Sequence, residues 1–486
     1  MMRGTIRVVL IALAALIATV LVRTLDAGRR RPPPAAAIPA APAFSLDAAA
    51  RHLGEAIRCR TISHQDAALD EAAEWATLQA WLLATYPAVA AHTQRELVGG
   101  RSLIVTWPGS EPALAPVILM AHQDVVPVEE GTEGNWRHPP FAGEIADGAV
   151  WGRGAVDDKG SLVAIYEALE ALAATGFAPK RTLILVSGAN EEVQGGGAVA
   201  AAKRLAERGM HAEFVLDEGL LVIARHPVTA GPVATIGIAE KGYATLEVEA
   251  HAAGGHSSMP PATSADLTLA QALLAIAAEP APARLDGTTG QMLDALAPDA
   301  PFAARLAIAN RWLLAPLLRR QIEATPAGAA MLHTTLAPTM LTGSAKENVL
   351  PQRASVAINY RLAPGDSAAD VEARARHATR GLPVTMHWLH APLEASPVSS
   401  TDSRGWSLIA ALAREAARGP AAPGLMIGGT DARSLQPVAS DVYRFQPITL
   451  TDEELAMLHG SNEHMSLENL RQSIDFYARL VAAATR

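Results

Sequence analysis

Three stretches of the chain carry unbroken apolar runs that stop at acidic or imidazole side chains. "PVILMAHQD" runs to His122 and Asp124, "RTLILVSGANEE" to Glu191 and Glu192, and "AEFVLDEG" to Asp217. Continuous runs of this length predict strands of a parallel sheet covered on both faces. Helical patterns lie between them. The strongest is "VWGRGAVDDKGSLVAIYEALEALAATG", where Leu162, Val163, Tyr166, Leu169 and Leu172 fall at helical spacing and Gly176 marks the stop. A final helix is predicted from about Ser466 to Ala483. Strands alternating with helices make an α/β fold with a mainly parallel sheet.

The pattern changes near Glu240. "YATLEVEAHA" alternates as a half-exposed strand does, "SADLTLAQALLAIAA" reads as a helix, and "RASVAINYRLA" as a strand. "AADVEARARHATRG" is again helical and "PVTMHWL" strand-like. These elements predict an antiparallel α+β, ferredoxin-like domain over residues 240–392, inserted between two halves of the α/β domain, 44–239 and 393–486. A largely helical insertion over about 280–335, with "FAARLAIANRWLLAPLLRRQI", interrupts it in turn. The apolar face of that insertion suits either a domain core or a partner surface.

Residues 1–43 are different in kind. The apolar run from Val8 to Val22 has 15 residues, is broken only by Thr19, and follows Arg3 and Arg7. That is the length of a signal-peptide core and short of the roughly 20 residues that span a bilayer. Leu25-Asp26-Ala27 is a mediocre cleavage site, and "RRRPPPAAAIPAAPA" reads as a semi-rigid linker. Export to a periplasmic or extracellular location is expected, with the segment either cleaved or kept as a membrane anchor. Charges on both flanks leave its orientation open.

Composition narrows the function. With 486 residues, half of them hydrophobic and 18% charged, two or three domains with large cores are expected. A net charge of −9 without a long basic run argues against nucleic acid as the main partner. The single cysteine, Cys59, leaves no internal disulfide, so stability rests on the core and on metal.

In open parallel sheets ligands sit at the carboxyl ends of the strands, so His122, Asp124, Glu191, Glu192 and Asp217 should converge on one edge. Adjacent carboxylates ordinarily just open a solvated helix, but three strand ends of this kind outweigh that reading. Asp157 joins them ahead of the amphipathic helix, with Asp158 read as the helix N-cap, and "MLHGSNEHM" adds His459. Of these, His122, Asp157, Glu192, Asp217 and His459, two imidazoles and three carboxylates with Glu191 unassigned, suit a borderline-hard divalent ion such as zinc. Five ligands exceed the needs of one catalytic zinc and serve two ions when one carboxylate bridges.

These residues sit in motifs that resemble a known family. "AHQDVVPV", "WGRGAVDDKGS", "NEEVQGGGA", "LDEG", "GGHSSMPP", "NVLPQRASVAINYRLAPG", "GGTDAR" and "HGSNEHM" follow one another in the family's order. From about Leu46 onward the chain resembles the dizinc metallopeptidases that include aminoacylase and carboxypeptidase G, most closely the carboxypeptidase S, or Gly-Xaa carboxypeptidase, branch. The resemblance implies that His122 and Asp217 bind one metal, Glu192 and His459 the other, and that Asp157 bridges them through a residue whose following peptide bond is cis. It implies Glu191 as general base and Asp124 as the residue orienting the His122 ring. The inserted domain would be a lid through which two subunits form a homodimer. His256 would polarise the scissile carbonyl, often from the partner subunit, and Arg361, with Asn348 and Thr430, would hold a substrate carboxylate. Asn190 stands where relatives often have aspartate, and Ala121 where glycine is common; neither removes a ligand.

The reading is therefore metal-dependent hydrolysis of the C-terminal amide bond of small peptides or N-acyl amino acids. A dizinc aminopeptidase would instead use acidic groups for a substrate amine. A non-catalytic metal-dependent binding protein should have lost Glu191 or a ligand.

Overall fold

The structure, a computed structural model, describes residues 2–30 and 38–486. The middle of the expected Pro/Ala linker, 31–37, lies outside the described residues. The three apolar runs become the strands Leu183–Ser187, Val117–Met120 and Ala212–Asp217, adjacent and parallel in that spatial order. They form the centre of a ten-stranded mixed sheet. Alternation assigns their side chains to two layers. Val117, Leu119, Leu183 and Leu185 face a core shared with the helices Leu46–Arg58, Lys159–Ala174, Arg404–Ala417 and Leu467–Ala484. Ile118, Met120, Ile184 and Val186 face the helix Gly197–Glu207 and the 3-10 segment Asp431–Val438.

One margin of the sheet is antiparallel. Gln94–Val98 and Ser102–Trp107 form a hairpin, turned at Gly99 and Gly100, whose φ values of 57° and 88° suit glycine. Ala439–Arg444 pairs in parallel with Ala212–Asp217 and brings the C-terminal part of the chain into the sheet. The helix expected ahead of Gly176 spans Lys159–Ala174 and is buried on nearly every side over its first three turns, more central than its amphipathic pattern suggested. Asp158 occupies its N-cap position without a capping hydrogen bond. Its Oδ1 instead accepts from Gln446 Nε2 at 2.8 Å.

A second, four-stranded antiparallel sheet runs in the order Thr335–Thr342, Arg353–Leu362, Gly242–His251, Val384–Trp388. Ala244, Leu246, Val248 and Ala250 point from it into a separate core closed by the helices Ala265–Ala278 and Ala368–Ala378. The edge strand Thr335–Thr342 was not expected. It contains Pro338, and its register shifts between Pro338 and Met340, as edge strands allow.

The insertion forms the helices Gly287–Leu296, Phe302–Ala309, Arg311–Ile322 and Pro326–Leu332. Its buried face does not join the core under the four-stranded sheet. Leu293, Ile308 and Leu318 pack with Val233 and Ala422 of the large sheet and with Ala27 of the N-terminal helix. That helix runs Met2–Arg29, well beyond the apolar run. Its stretch Thr5–Arg29 is long and apolar enough to cross a membrane. The last turns dock on the insertion: Asn310 Nδ2 donates to Thr24 Oγ1 at 3.1 Å, and Arg23 Nε to the Ala309 carbonyl at 3.1 Å.

Candidate metal centre

Two groups of ligand-type atoms meet at the carboxyl ends of the parallel strands. His122 Nε2 lies 2.9 Å from Asp157 Oδ1 and 3.5 Å from Glu218 Oε1. His459 Nε2 lies 3.1 Å from both Asp157 Oδ2 and Glu192 Oε2. Asp157 thus turns one oxygen to each group.

Each member is held by the local fold. His122 follows the strand Val117–Met120, and its Nδ1 donates to the Asp124 carbonyl at 3.0 Å, which turns Nε2 toward the carboxylates. The Asp124 carboxylate accepts from Glu191 N and Glu192 N, both at 3.1 Å, and from Ser63 Oγ at 2.6 Å. It therefore locks the His122 strand end to the loop bearing the paired glutamates. The buried Glu463 accepts from Val156 N at 2.9 Å and Asp157 N at 3.0 Å, and pairs with Arg153 at 2.8 Å. The Asp157–Asp158 peptide bond is cis. His459 takes a left-handed backbone with φ 58°.

The structure brings Glu218, rather than Asp217, beside His122. Asp217 accepts hydrogen bonds from Glu218 N and Ala432 N, both at 2.9 Å, and so braces the "GGTDAR" loop. Successive side chains at a strand end point to opposite sides, so only one acid of "LDEG" can face the centre. Asp431 is a further acid that sequence reasoning passed over within that loop. It crowds Gly188, where an added Cβ would collide with Asp431 Oδ2.

The donor set fits a divalent cation. Glu192 Oε1 and Asp431 Oδ2 are buried without hydrogen-bond partners. Burial pushes the carboxyls of Glu191 and Asp431 well above the usual range and that of Glu218 up to about 8. His459 is raised to about 10 by its hydrogen bonds to Asp157 and Glu192. Oxygen and imidazole donors, with no sulfur, match a hard or borderline divalent ion that would offset this crowded negative charge. Glu191 feels the charges of His122, Glu218, Asp431 and Asp157, and so belongs to the same cluster.

The remaining expected residues lie elsewhere. His256 is exposed on the short strand Gly255–His256, and its Nδ1 accepts from Ser258 N at 3.1 Å. The neutral ring therefore carries its proton on Nε2. Arg361 stacks over the Tyr243 ring at 4.7 Å and sits near two more cations. Lys241 is pushed down to about 8, first by burial and then by Arg361, and Arg433 is lowered, first by burial. Asn348 Oδ1 is buried and unpartnered. Thr430 is not free for a ligand, because its hydroxyl donates to Glu240 Oε1 at 3.0 Å, which also accepts from Arg444 at 2.6 Å.

A model of peptidase family M20/M25/M40 matches residues 118–483. The chain is 33% identical over 442 residues to "Probable carboxypeptidase S-like 2" of Dictyostelium discoideum, covering 89% of this chain and 84% of that one. It is 34% identical over 397 residues to the N-fatty-acyl-amino acid synthase/hydrolase of Homo sapiens, covering 80% and 78%. Carboxypeptidase S of Saccharomyces cerevisiae is 29% identical over 439 residues, covering 81% and 75%. In fold, the chain is similar to an M20 family metallo-carboxypeptidase from Sulfolobus solfataricus, with a TM-score of 0.61 at 16% identity over 89% of this chain and 98% of that one.

Proposed function

The chain belongs to peptidase family M20/M25/M40, and on that premise we propose that it is a two-zinc amidohydrolase acting on the last amide bond of small peptides or N-acyl amino acids. The observation that carries this reading is the pair of ligand groups sharing Asp157. His122, Asp157 and Glu218 would hold one ion, with Glu218 in the role expected of Asp217. Asp157, Glu192 and His459 would hold the other. Bound there, two divalent ions supply Lewis acidity to the scissile carbonyl and acidify the attacking water.

The chain's own residues do the rest. Glu191 takes the water's proton and passes it to the leaving amine. Asp124 keeps Glu191 and Glu192 in register with His122. His256, with its proton on Nε2, is a donor suited to the carbonyl oxygen once the lid closes or a partner subunit presents it. Arg361, near Lys241 and Arg433, offers a cationic site for the carboxylate that a C-terminal residue and an N-acyl amino acid have in common. Such cations disfavour the aminopeptidase alternative, and an intact Glu191 disfavours a merely binding protein.

The test is hydrolysis of dipeptides, N-acyl amino acids and their C-terminal amides, before and after chelation. Chelator-sensitive release of amino acid from the free acids, restored by zinc, is expected. Preference for substrates with a free amine and a blocked carboxyl would overturn the reading.

A further inference from the structure

The helix Arg311–Ile322 is apolar on its outward side as well as on its buried side. Leu318 is buried, and Leu314, Ala315 and Ile322 are half-buried. Trp312, Leu313, Pro316 and Leu317 face out, with Trp312 56%, Leu313 43% and Leu317 59% exposed. Phe302, at the start of the preceding helix, is 53% exposed. A surface helix ordinarily turns its polar side outward, and a clustered apolar patch marks an interaction site.

Two observations identify what covers this patch. The first is continuity with the N-terminal helix. Asn310, the N-cap of Arg311–Ile322, donates to the Val20 carbonyl at 3.3 Å as well as to Thr24. The patch therefore starts where the N-terminal helix leaves the fold, and the apolar stretch of that helix projects beyond this point unburied. The second is charge. Arg319 and Arg320 close the far end of the patch. At its near end a cleft of about 440 Å³ is lined by Arg23, Arg30 and Arg311 together with Trp312, and Asp26 and Asp294 hold Arg30 and Arg311 in ion pairs at 2.9 and 2.7 Å. Tryptophan beside arginines at the end of an apolar helix is the pattern of a membrane–water interface.

We propose that the outward face of Arg311–Ile322, with Phe302, lies in the headgroup layer of an anionic bilayer beside the N-terminal helix, so that the chain meets the membrane at two points. An amphipathic helix in that layer buries its apolar face about 5–10 Å deep while basic residues meet anionic lipid. A two-fold contact between copies would press the arginine borders against each other, so a second copy fits this patch less well.

The test uses the full chain in vesicles made of equal parts phosphatidylcholine and phosphatidylglycerol. Cys59 is the sole cysteine and is buried, so an introduced thiol takes an environment-sensitive fluorophore selectively. Leu313→Cys and Leu317→Cys replace exposed side chains and should leave folding and hydrolysis intact. Leu69→Cys, next to the Asp70–Arg101 pair by the opposite margin of the sheet, is the control. Labels at 313 and 317 should shift to the blue and lose emission to spin-labelled lipid, while the label at 69 should do neither. Labels at 313 and 317 that stay as wet as the control would overturn the proposal. A blue shift that follows protein concentration and ignores the spin-labelled lipid would also overturn it, and would assign the face to a second copy.

Discussion

At Asp157 the two oxygens of one carboxylate face two imidazoles, and the roles around it separate by single atoms. Glu191→Gln removes a proton acceptor and no ligand, so it should keep the metal yet lower turnover by roughly a hundredfold or more. Glu192→Gln should instead lose metal from one site, as elemental analysis of both purified variants would register. The same measurement distinguishes neighbouring acids at the next strand end. Glu218→Gln should deplete bound metal more than Asp217→Asn, whose partners are the backbone N–H groups of Glu218 and Ala432. The reverse order would return the ligand role to Asp217. Arg361→Ala should weaken transition-state binding of free acids by about 2–4 kcal/mol, the scale of a desolvated charge-assisted contact, and barely affect matched C-terminal amides. Equal losses in kcat/KM for acids and amides would remove Arg361 from the carboxylate site. Most of this chemistry was legible because acids and imidazoles at the ends of apolar runs have little structural reason to be there. What stayed illegible was orientation. "LDEG" offers two acids, and only the twist of the strand end decides which one turns toward His122.

Among the elements, the central strands were legible for the same reason that they are stable. Leu119 is fully buried and packs within the core beneath the helix Lys159–Ala174. Leu119→Ala should cost about 2–5 kcal/mol of stability, seen as a lower denaturation midpoint with metal content of the folded fraction unchanged. A change below about 0.5 kcal/mol would mean that the site collapses around the gap or is not core. The strand Thr335–Thr342 escaped notice because its residues are mostly exposed and Pro338 interrupts the period-two pattern. Asp158 holds the N-cap position but makes no capping bond. An acid before a helix is usually a cap, but here the buried Gln446 side chain competes for its carboxylate.

For the molecule as a whole, the proposed lid role of His256 has a test of its own. His256→Ala should retain metal and lose kcat, since a carbonyl donor acts mainly in the transition state. If the donor comes from a partner subunit, mixing His256→Ala with Glu191→Gln under subunit exchange restores one intact site in each mixed dimer. Recovery should approach roughly a quarter of wild-type sites under random two-fold pairing. Proven exchange without recovery would place His256 within its own subunit's site or outside catalysis. Assembly was the level least legible in the chain, because apolar helix faces look alike whether they pack on their own sheet, as Leu293 and Leu318 do on Val233 and Ala422, or turn outward as Leu317 does.

The bond between Asn310 and Thr24 sets a clock. Thr24 is fully buried and Ala27 is 7% exposed, whereas Leu25 is 52% exposed, so one side of this helical turn is held against the insertion once it has docked. Asn310 lies 286 residues downstream of Thr24, and at about 5–20 residues per second the ribosome delivers it roughly 15–60 s later. Until then this end of the helix lacks its partner. The two sides of this contact are therefore joined late, and the N-terminal helix becomes part of the folded molecule only after the insertion has been made.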